Sequence, residues 1–271
     1  MPHAATQTLL RRSKTTRQYL RKNFYPLYRA TAPLRPLPNA VIIGGMKCGT
    51  TSLNAWLREH PGVAFSSQKE IHFFDKNFER GPQWYRTHFP IWERLQGSSC
   101  TIEATPSYLY RAAKVAPRMH ALIPDAKLIV MLRNPVHRAI SHYCHTQRNH
   151  RETRPPEAAL MSDFTSNGRG ANRYKSRGLY AKQLKNFLSL YPRSNILIIK
   201  SEELFRDPET IYQQTLDFLN LEIRTLPNNA RPRNTSSVKP EISDAVMQHL
   251  EIFYQQPNQE LRDLLGDFPG W

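Results

Sequence analysis

The first forty residues contain no aspartate or glutamate. Cysteine is scarce: Cys48, Cys100 and Cys144 are the three in 271 residues. An odd number at wide spacing, with no C-x-x-C pair, fits neither a disulfide framework nor a zinc site. A reduced, cytoplasmic setting is the simplest expectation. No stretch approaches the roughly 18–20 apolar residues of a membrane span, and the N-terminus lacks the apolar core of a signal peptide. No internal repeat is visible.

Acidic residues are few throughout. Asp and Glu total 22 against 38 Lys and Arg, a formal charge of +16. A field of that sign favours anionic partners: nucleic acid, anionic glycan, acidic lipid or a nucleotide. The basic residues are spread along the chain, so charge does not choose among them. Residues 1–38 form a basic arm, either solvated or similar in composition to an organelle transit peptide, with Pro33, Pro36 and Pro38 as a stiff lead-in. Residues 39–271 are expected to be one domain.

The hydrophobic content, 39%, suffices for an ordinary core. Short Val/Ile-rich runs alternate with helical patterns. VIIG (41–44), VAF (63–65), CTI (100–102), KLIVML (127–132) and NILIIK (195–200) read as strands. Helices are expected over 51–59, 115–122, 135–150, 179–190 and 208–219, with 242–265 as two helices divided at Pro257. Such alternation implies an α/β fold, a parallel sheet with helices on both faces. Ligands then sit at the carboxyl ends of the strands. The stretches 151–177 and 227–238 are polar and aperiodic and read as loops, the first as a mobile loop over the site.

The most informative stretch is VIIGGMKCGTTSLNAWLREHP (41–61). It reads as a strand, a glycine-rich turn carrying Lys47, and a helix start. Backbone N–H groups and the positive dipole end at a helix N-terminus hold anions. The amides from Gly45 through Cys48, Gly49, Thr50, Thr51 and Ser52, the hydroxyls of the last three, and the Lys47 ammonium are the donors. A triphosphate–magnesium loop needs lysine directly after its last glycine. Here lysine precedes Gly49 by two positions, and the clearest second strand ends in Arg133 where a metal-holding aspartate would stand. A kinase or NTPase with an atypical loop, or a non-catalytic polyanion binder, are the competing readings.

G-x-x-K-x-G-T-T after a strand resembles the phosphosulfate loop of sulfotransferases that use 3′-phosphoadenosine 5′-phosphosulfate (PAPS). LRNPVHRAISHY (132–143) looks like their 3′-phosphate segment. KEIHFFD (69–75), WYRTHFP (84–90), EATPSYLY (103–110), GLYAKQLKNFL (178–188), LIIKSEEL (197–204) and the ending LLGDFPGW look like the heparan sulfate sulfotransferase branch. The similarity runs in order from about Asn39 to Trp271. Two departures stand out: Ala104 where that branch often has lysine, and no cysteine after Cys144 where its eukaryotic members often carry a disulfide.

The resemblance implies a P-loop-like fold and transfer of a sulfuryl group from PAPS to a hydroxyl or amine of an acceptor, a glycan or glycolipid being favoured. The nucleotide product is PAP, and no metal or nucleic acid is required. It places Lys47 at the bridging oxygen of the leaving group. Arg133 and Ser141, eight positions apart, would bind the 3′-phosphate, and Arg231, Arg233 and Asn234 would supply a closing loop. Glu70 is the implied general base. His72 is its alternative or a group that orients the acceptor, sharing Glu70's face if the segment is extended. Lys69 is a candidate acceptor contact, and Gly178 and Tyr180 a cleft wall. His142 and His145 share a helix face without a matching carboxylate and read as surface histidines.

Overall fold

A computed structural model of the chain describes residues 23–91, 99–162, 173–227, 241–266, 268 and 270–271. In chain order the elements are α1 (Tyr25–Ala30), β1 (Ala40–Gly44), α2 (Thr50–Leu57), β2 (Val63–Phe65), α3 (Phe73–Lys76), α4 (Gly81–Arg86), β3 (Cys100–Ala104), α5 (Ser107–Tyr110), α6 (Ala112–Leu122), β4 (Lys127–Leu132), α7 (Pro135–Arg148), α8 (Pro156–Leu160), α9 (Tyr180–Leu188), β5 (Ile196–Lys200), α10 (Ser201–Arg206), α11 (Pro208–Phe218) and α12 (Asp244–Leu265).

The strands form one parallel sheet, ordered β2-β3-β1-β4-β5. The apolar runs of β1 and β4 are continuous because both their faces are covered. Val41, Ile43, Leu128, Val130 and Leu132 meet α6 and α9, through Val115, Met119, Leu184 and Phe187. Ala40, Ile42, Ile129 and Met131 meet α2, α10 and α11, through Leu53, Trp56, Leu204 and Leu216. A third cluster joins Val136, Ala139 and Tyr143 of α7 to α8 and to Val246, Leu250 and Tyr254 of α12. It covers one side of the site at the carboxyl ends of the strands.

β1 stands centrally, and its pairing with β4 shifts register between Ile42 and Gly44. That irregularity releases the chain upward into the glycine turn. In this order the connections run to opposite sides of β1, which puts a crevice above its end.

Two expectations are corrected. Residues 244–265 form one helix, not two, and Pro257 lies inside it. The hydrogen bond that proline removes is outweighed by Tyr254 and Leu261, buried on either side of it. The stretch 151–177 is not all aperiodic loop. It contains α8, and Glu152, Tyr174 and Lys175 are buried, so its described ends belong to the packed body. Within the basic stretch 1–38, Ala32 and Arg35 are buried, and the Arg35 guanidinium donates to the Phe89 carbonyl at 2.7 Å.

Candidate active site

The turn after β1 is built for close approach. Lys47 has φ of 70° and Gly49 φ of 89°. A Cβ on Gly49 would come within 2.8 Å of Leu204 and would also be strained at that angle. Gly49 is the N-cap of α2 and has no side chain to cap it. The first amides of the helix, at Thr50 and Thr51, therefore open toward the crevice. Ser52 N–H instead bonds back to the Gly49 carbonyl at 2.9 Å, and Cys48 is fully buried with its thiol 3.9 Å from the Tyr180 hydroxyl. The Cys48 N–H is bonded to the Gly45 carbonyl at 3.3 Å and the Gly45 N–H to the Met131 carbonyl, so these two expected donors are taken within the turn. Burial pushes the Cys48 thiol up to about 11.

Lys47 is half-buried. Burial, followed by the positive charges of Arg148 and Arg133, holds its ammonium below the usual lysine range. Three cations thus converge on the turn.

The segment 133–135 shows why each residue stands where it does. Arg133 follows the last residue of β4, and its guanidinium donates to the Lys47 carbonyl at 3.4 Å. The Asn134 side chain caps α7 by accepting from the amides of Val136 and His137, and Pro135 fills the first turn, where no N–H is needed. Ser141 lies half-buried two turns on. Along α7, Arg138, Ser141, His145 and Arg148 recur at spacings of three and four, one stripe of the helix.

On the other wall Glu70 is exposed, its side chain 45% accessible, while its N–H bonds to the Ala104 carbonyl at the end of β3 at 3.0 Å. Glu70 and His72 share a face, but not by extension. Both are left-handed, with φ of 61° and 56°, and the turn brings His72 Nε2 to 3.7 Å from Glu70 Oε2. Behind His72, its Nδ1 lies 3.1 Å from both carboxylate oxygens of buried Asp75. Ser107 donates to Asp75 at 3.0 Å, and Arg111 stands at 3.8 Å. Burial would raise the Asp75 carboxyl. The hydrogen bond and charge of His72, with the Ser107 hydrogen bond, outweigh it and hold the group below the usual range. Lys69 joins the two walls: its Nζ donates to Thr51 Oγ1 at 2.9 Å and lies 4.0 Å from Glu70.

Under this wall Glu103 is fully buried and accepts from Thr105 at 2.6 Å, from Tyr108 at 2.8 Å and from Tyr85. The Tyr108 oxygen also receives the Phe74 N–H at 3.4 Å. The carboxylate thereby anchors the turn that carries Glu70 and His72.

Several expectations change. Tyr180 is 1% exposed and lines no open cleft; its hydroxyl donates to the Arg133 carbonyl at 2.9 Å, bracing the cationic segment from behind. Gly178 is likewise buried, under Tyr254. His142 is buried, not a surface histidine. Burial, Arg138 and Arg177 push its imidazole down to about 2. Arg231, Arg233 and Asn234 lie outside the described residues. Among the described residues no group of three or more His, Cys, Asp or Glu side chains is placed to hold a metal ion.

Asp75, Ser107 and Arg148 were missed by reading residues one at a time. Asp75 stands three after His72 in a quoted motif, and Arg148 continues the stripe of Arg138 and Ser141, so both were accessible to helix spacing. Ser107 carried no local signal. Nor did Glu202, which accepts from the Asn134 N–H at 2.9 Å and from the Trp271 indole at 3.1 Å, tying the C-terminus to the cap of α7.

A glycine turn at an uncapped helix start, three cations around it and a carboxylate opposite define a group-transfer enzyme acting on an anionic donor. Residues 37–260 match the sulfotransferase domain family, and the chain belongs to it. It is 34% identical over 264 residues to heparan sulfate glucosamine 3-O-sulfotransferase 6 of Mus musculus, covering 88% of this chain and 74% of that one. To heparan sulfate glucosamine 3-O-sulfotransferase 3B1 of Homo sapiens it is 32% identical over 266 residues, covering 88% and 65%. A sulfotransferase from Alicyclobacillus acidocaldarius superposes with a TM-score of 0.73 at 28% identity, covering 85% of this chain and 96% of that one. No described helix is long and apolar enough to cross a membrane.

Proposed function

We propose that this sulfotransferase moves the sulfuryl group of PAPS to a hydroxyl or amine of a carbohydrate acceptor. The observation that carries the reading is the Lys69 bridge, which sets the anion turn and Glu70 on facing walls of one crevice. The chain's own residues fit the donor: an uncapped helix start for a phosphosulfate, and Arg133 with Ser141 for a second phosphate. PAPS supplies the sulfur electrophile.

The Glu70 carboxylate takes the acceptor proton as the acceptor oxygen or nitrogen bonds to sulfur. The bond from sulfur to the bridging oxygen breaks, and its electron pair stays on the 5′-phosphate of PAP. The Lys47 ammonium and the amides of Thr50 and Thr51 balance that charge, each well-placed donor contributing about 3 kcal/mol. Asp75 fixes the orientation of His72, which in turn faces Glu70. The carbohydrate acceptor rests on the similarity to the heparan sulfate glucosamine 3-O-sulfotransferases. We assign the transfer domain to 39–271, and a cytoplasmic setting from the three free cysteines.

The test is transfer of labelled sulfate from PAPS to a panel of glycosaminoglycan, glycolipid, phenol and alkyl alcohol, with PAP binding measured by calorimetry alongside. Label on the glycan or glycolipid is the expected result. No transfer to any carbohydrate, or equal PAP affinity in wild type and Arg133→Ala, would overturn the acceptor class or the phosphate site respectively.

A further inference from the structure

Behind the anion turn, the third apolar cluster encloses charges that the transfer reaction does not use. Arg138 on α7 is fully buried, one of the largest side chains so enclosed. One Nη2 hydrogen bond goes to the Tyr174 carbonyl, and the Tyr254 phenol lies beside the same guanidinium. Its Nε and Nη1 have no partner. Arg177 approaches from the 3₁₀ turn before α9. Its guanidinium covers the Tyr110 ring at 4.5 Å, while its buried Nε is also without a partner. His142 adds a fourth orphaned nitrogen, Nδ1. Among the described residues neither arginine has a carboxylate within ion-pair distance. Glu152, the buried acid of this region, is taken by Arg154 at 2.8 Å and by the Tyr174 hydroxyl at 2.9 Å.

Buried charges are ordinarily paired, because an isolated one costs several kcal/mol of lost hydration. Fully buried Arg138 breaks that rule, and half-buried Arg177 sets a second like charge against it among the tyrosines. Burial, then the charge of Arg138, pulls Arg177 down to about 10, so Arg177 remains charged at neutral pH. His142 is neutral there and adds no charge. Guanidinium forks match the spacing of oxygens on a tetrahedral oxyanion. The three orphaned nitrogens on Arg138 and Arg177 are donors of that kind.

We propose that Arg138 and Arg177 together bind a phosphate or sulfate oxyanion, in a buried site separate from the Lys47 turn. The occupant is a free inorganic anion, because the two phosphates of PAP are taken by the Lys47 turn and by Arg133 with Ser141. The site does not depend on the transfer roles assigned above, since it follows from unpaired charge alone.

The test is thermal unfolding of the full chain in sodium chloride, then in sodium sulfate at matched ionic strength. Three proteins are compared: wild type, Arg138→Met and Arg177→Met. Sulfate is expected to raise the wild-type midpoint by about 3 °C or more. Both variants should lose at least half of that increment. In chloride, Arg138→Met should unfold no lower than wild type, because an apolar chain replaces an uncompensated charge. Arg177 is only half-buried, so its variant keeps the test decisive should Arg138→Met fail to fold. A wild-type increment of zero, or a full increment in the variants that fold, overturns the proposal. Repeating the sulfate series on wild type saturated with PAP separates this site from the nucleotide site. An increment that survives supports a separate anion site, and one that vanishes means sulfate had bound in the nucleotide site and overturns the proposal. Because the readout is unfolding, a failure of sulfuryl transfer would leave this result standing.

Discussion

Lys69 Nζ donates to Thr51 Oγ1 at 2.9 Å while standing 4.0 Å from the Glu70 carboxylate. One side chain thus spans the start of α2 and the candidate base. Its charge sits between the donor's turn and the acceptor's proton, where negative charge shifts during transfer. Lys69→Met should lower kcat about tenfold, the scale of a hydrogen bond from a charged group. PAP affinity should change much less. Thr51→Val should give a smaller loss. The double variant should be no worse than Lys69→Met, because both remove one bridge. Additive losses would show that the two act separately.

Glu70→Gln tests the base itself. A positioned general base contributes about 10²–10⁴-fold, so kcat should fall by that order while calorimetric PAP affinity stays near wild type. Loss of PAP binding instead would place Glu70 in the nucleotide site.

The Asp75 carboxyl is held below the usual range, so it binds fewer protons folded than unfolded across the ordinary carboxylate range. Its contribution to stability is present above the unfolded value, about 3.9, and is lost as pH falls through the folded value. Wild type should therefore melt above Asp75→Asn at pH 7, and the gap should close in acid. At pH 7 the variant's kcat should fall about ten- to hundredfold through misplacement of His72. A gap independent of pH would deny the Asp75–His72 charge pairing.

Much of this was legible in the sequence. Continuous apolar runs at 41–44 and 127–132 predict parallel strands covered on both faces, and they are. Pro135 predicts the start of α7, and the glycines around Gly49 predict a tight turn into a helix, which begins at Thr50. What the sequence hides are relations between distant segments. Glu70 and His72 meet through two left-handed residues, which no strand pattern anticipates. Tyr180 reads as a cleft residue because its motif lies near the site, yet apolar packing takes its ring and the Arg133 carbonyl takes its hydroxyl. Pro257 reads as a helix break, but the buried contacts of Tyr254 and Leu261 carry α12 through it.

The alkaline limb of activity should belong to Lys47. Burial and the charges of Arg148 and Arg133 already lower its pKa, and only the protonated amine balances a leaving phosphate. kcat/KM should therefore fall as pH rises through that lowered value. Arg148 is exposed, so replacing it with Gln should leave the fold intact while removing one repelling charge. The lysine then holds its proton to higher pH, and the limb should move in the alkaline direction. An unmoved limb would assign it to another group.

Gly178 marks the point where the 3₁₀ turn passes under α12. A Cβ there would lie 2.7 Å from the Tyr254 hydroxyl and 2.8 Å from its ring carbon Cε1. That ring cannot swing aside freely: it is buried, and its hydroxyl donates to the Lys175 carbonyl at 2.8 Å. Gly178→Ala should destabilise the protein by about 1–3 kcal/mol, read as a lowered midpoint of thermal unfolding. Tyr254→Phe removes the nearest atom but leaves Cε1 in place. In the double variant it should recover part of the loss and never all of it. Full recovery would mean that the hydroxyl alone, and not the approach of the turn to the ring, sets the requirement for glycine.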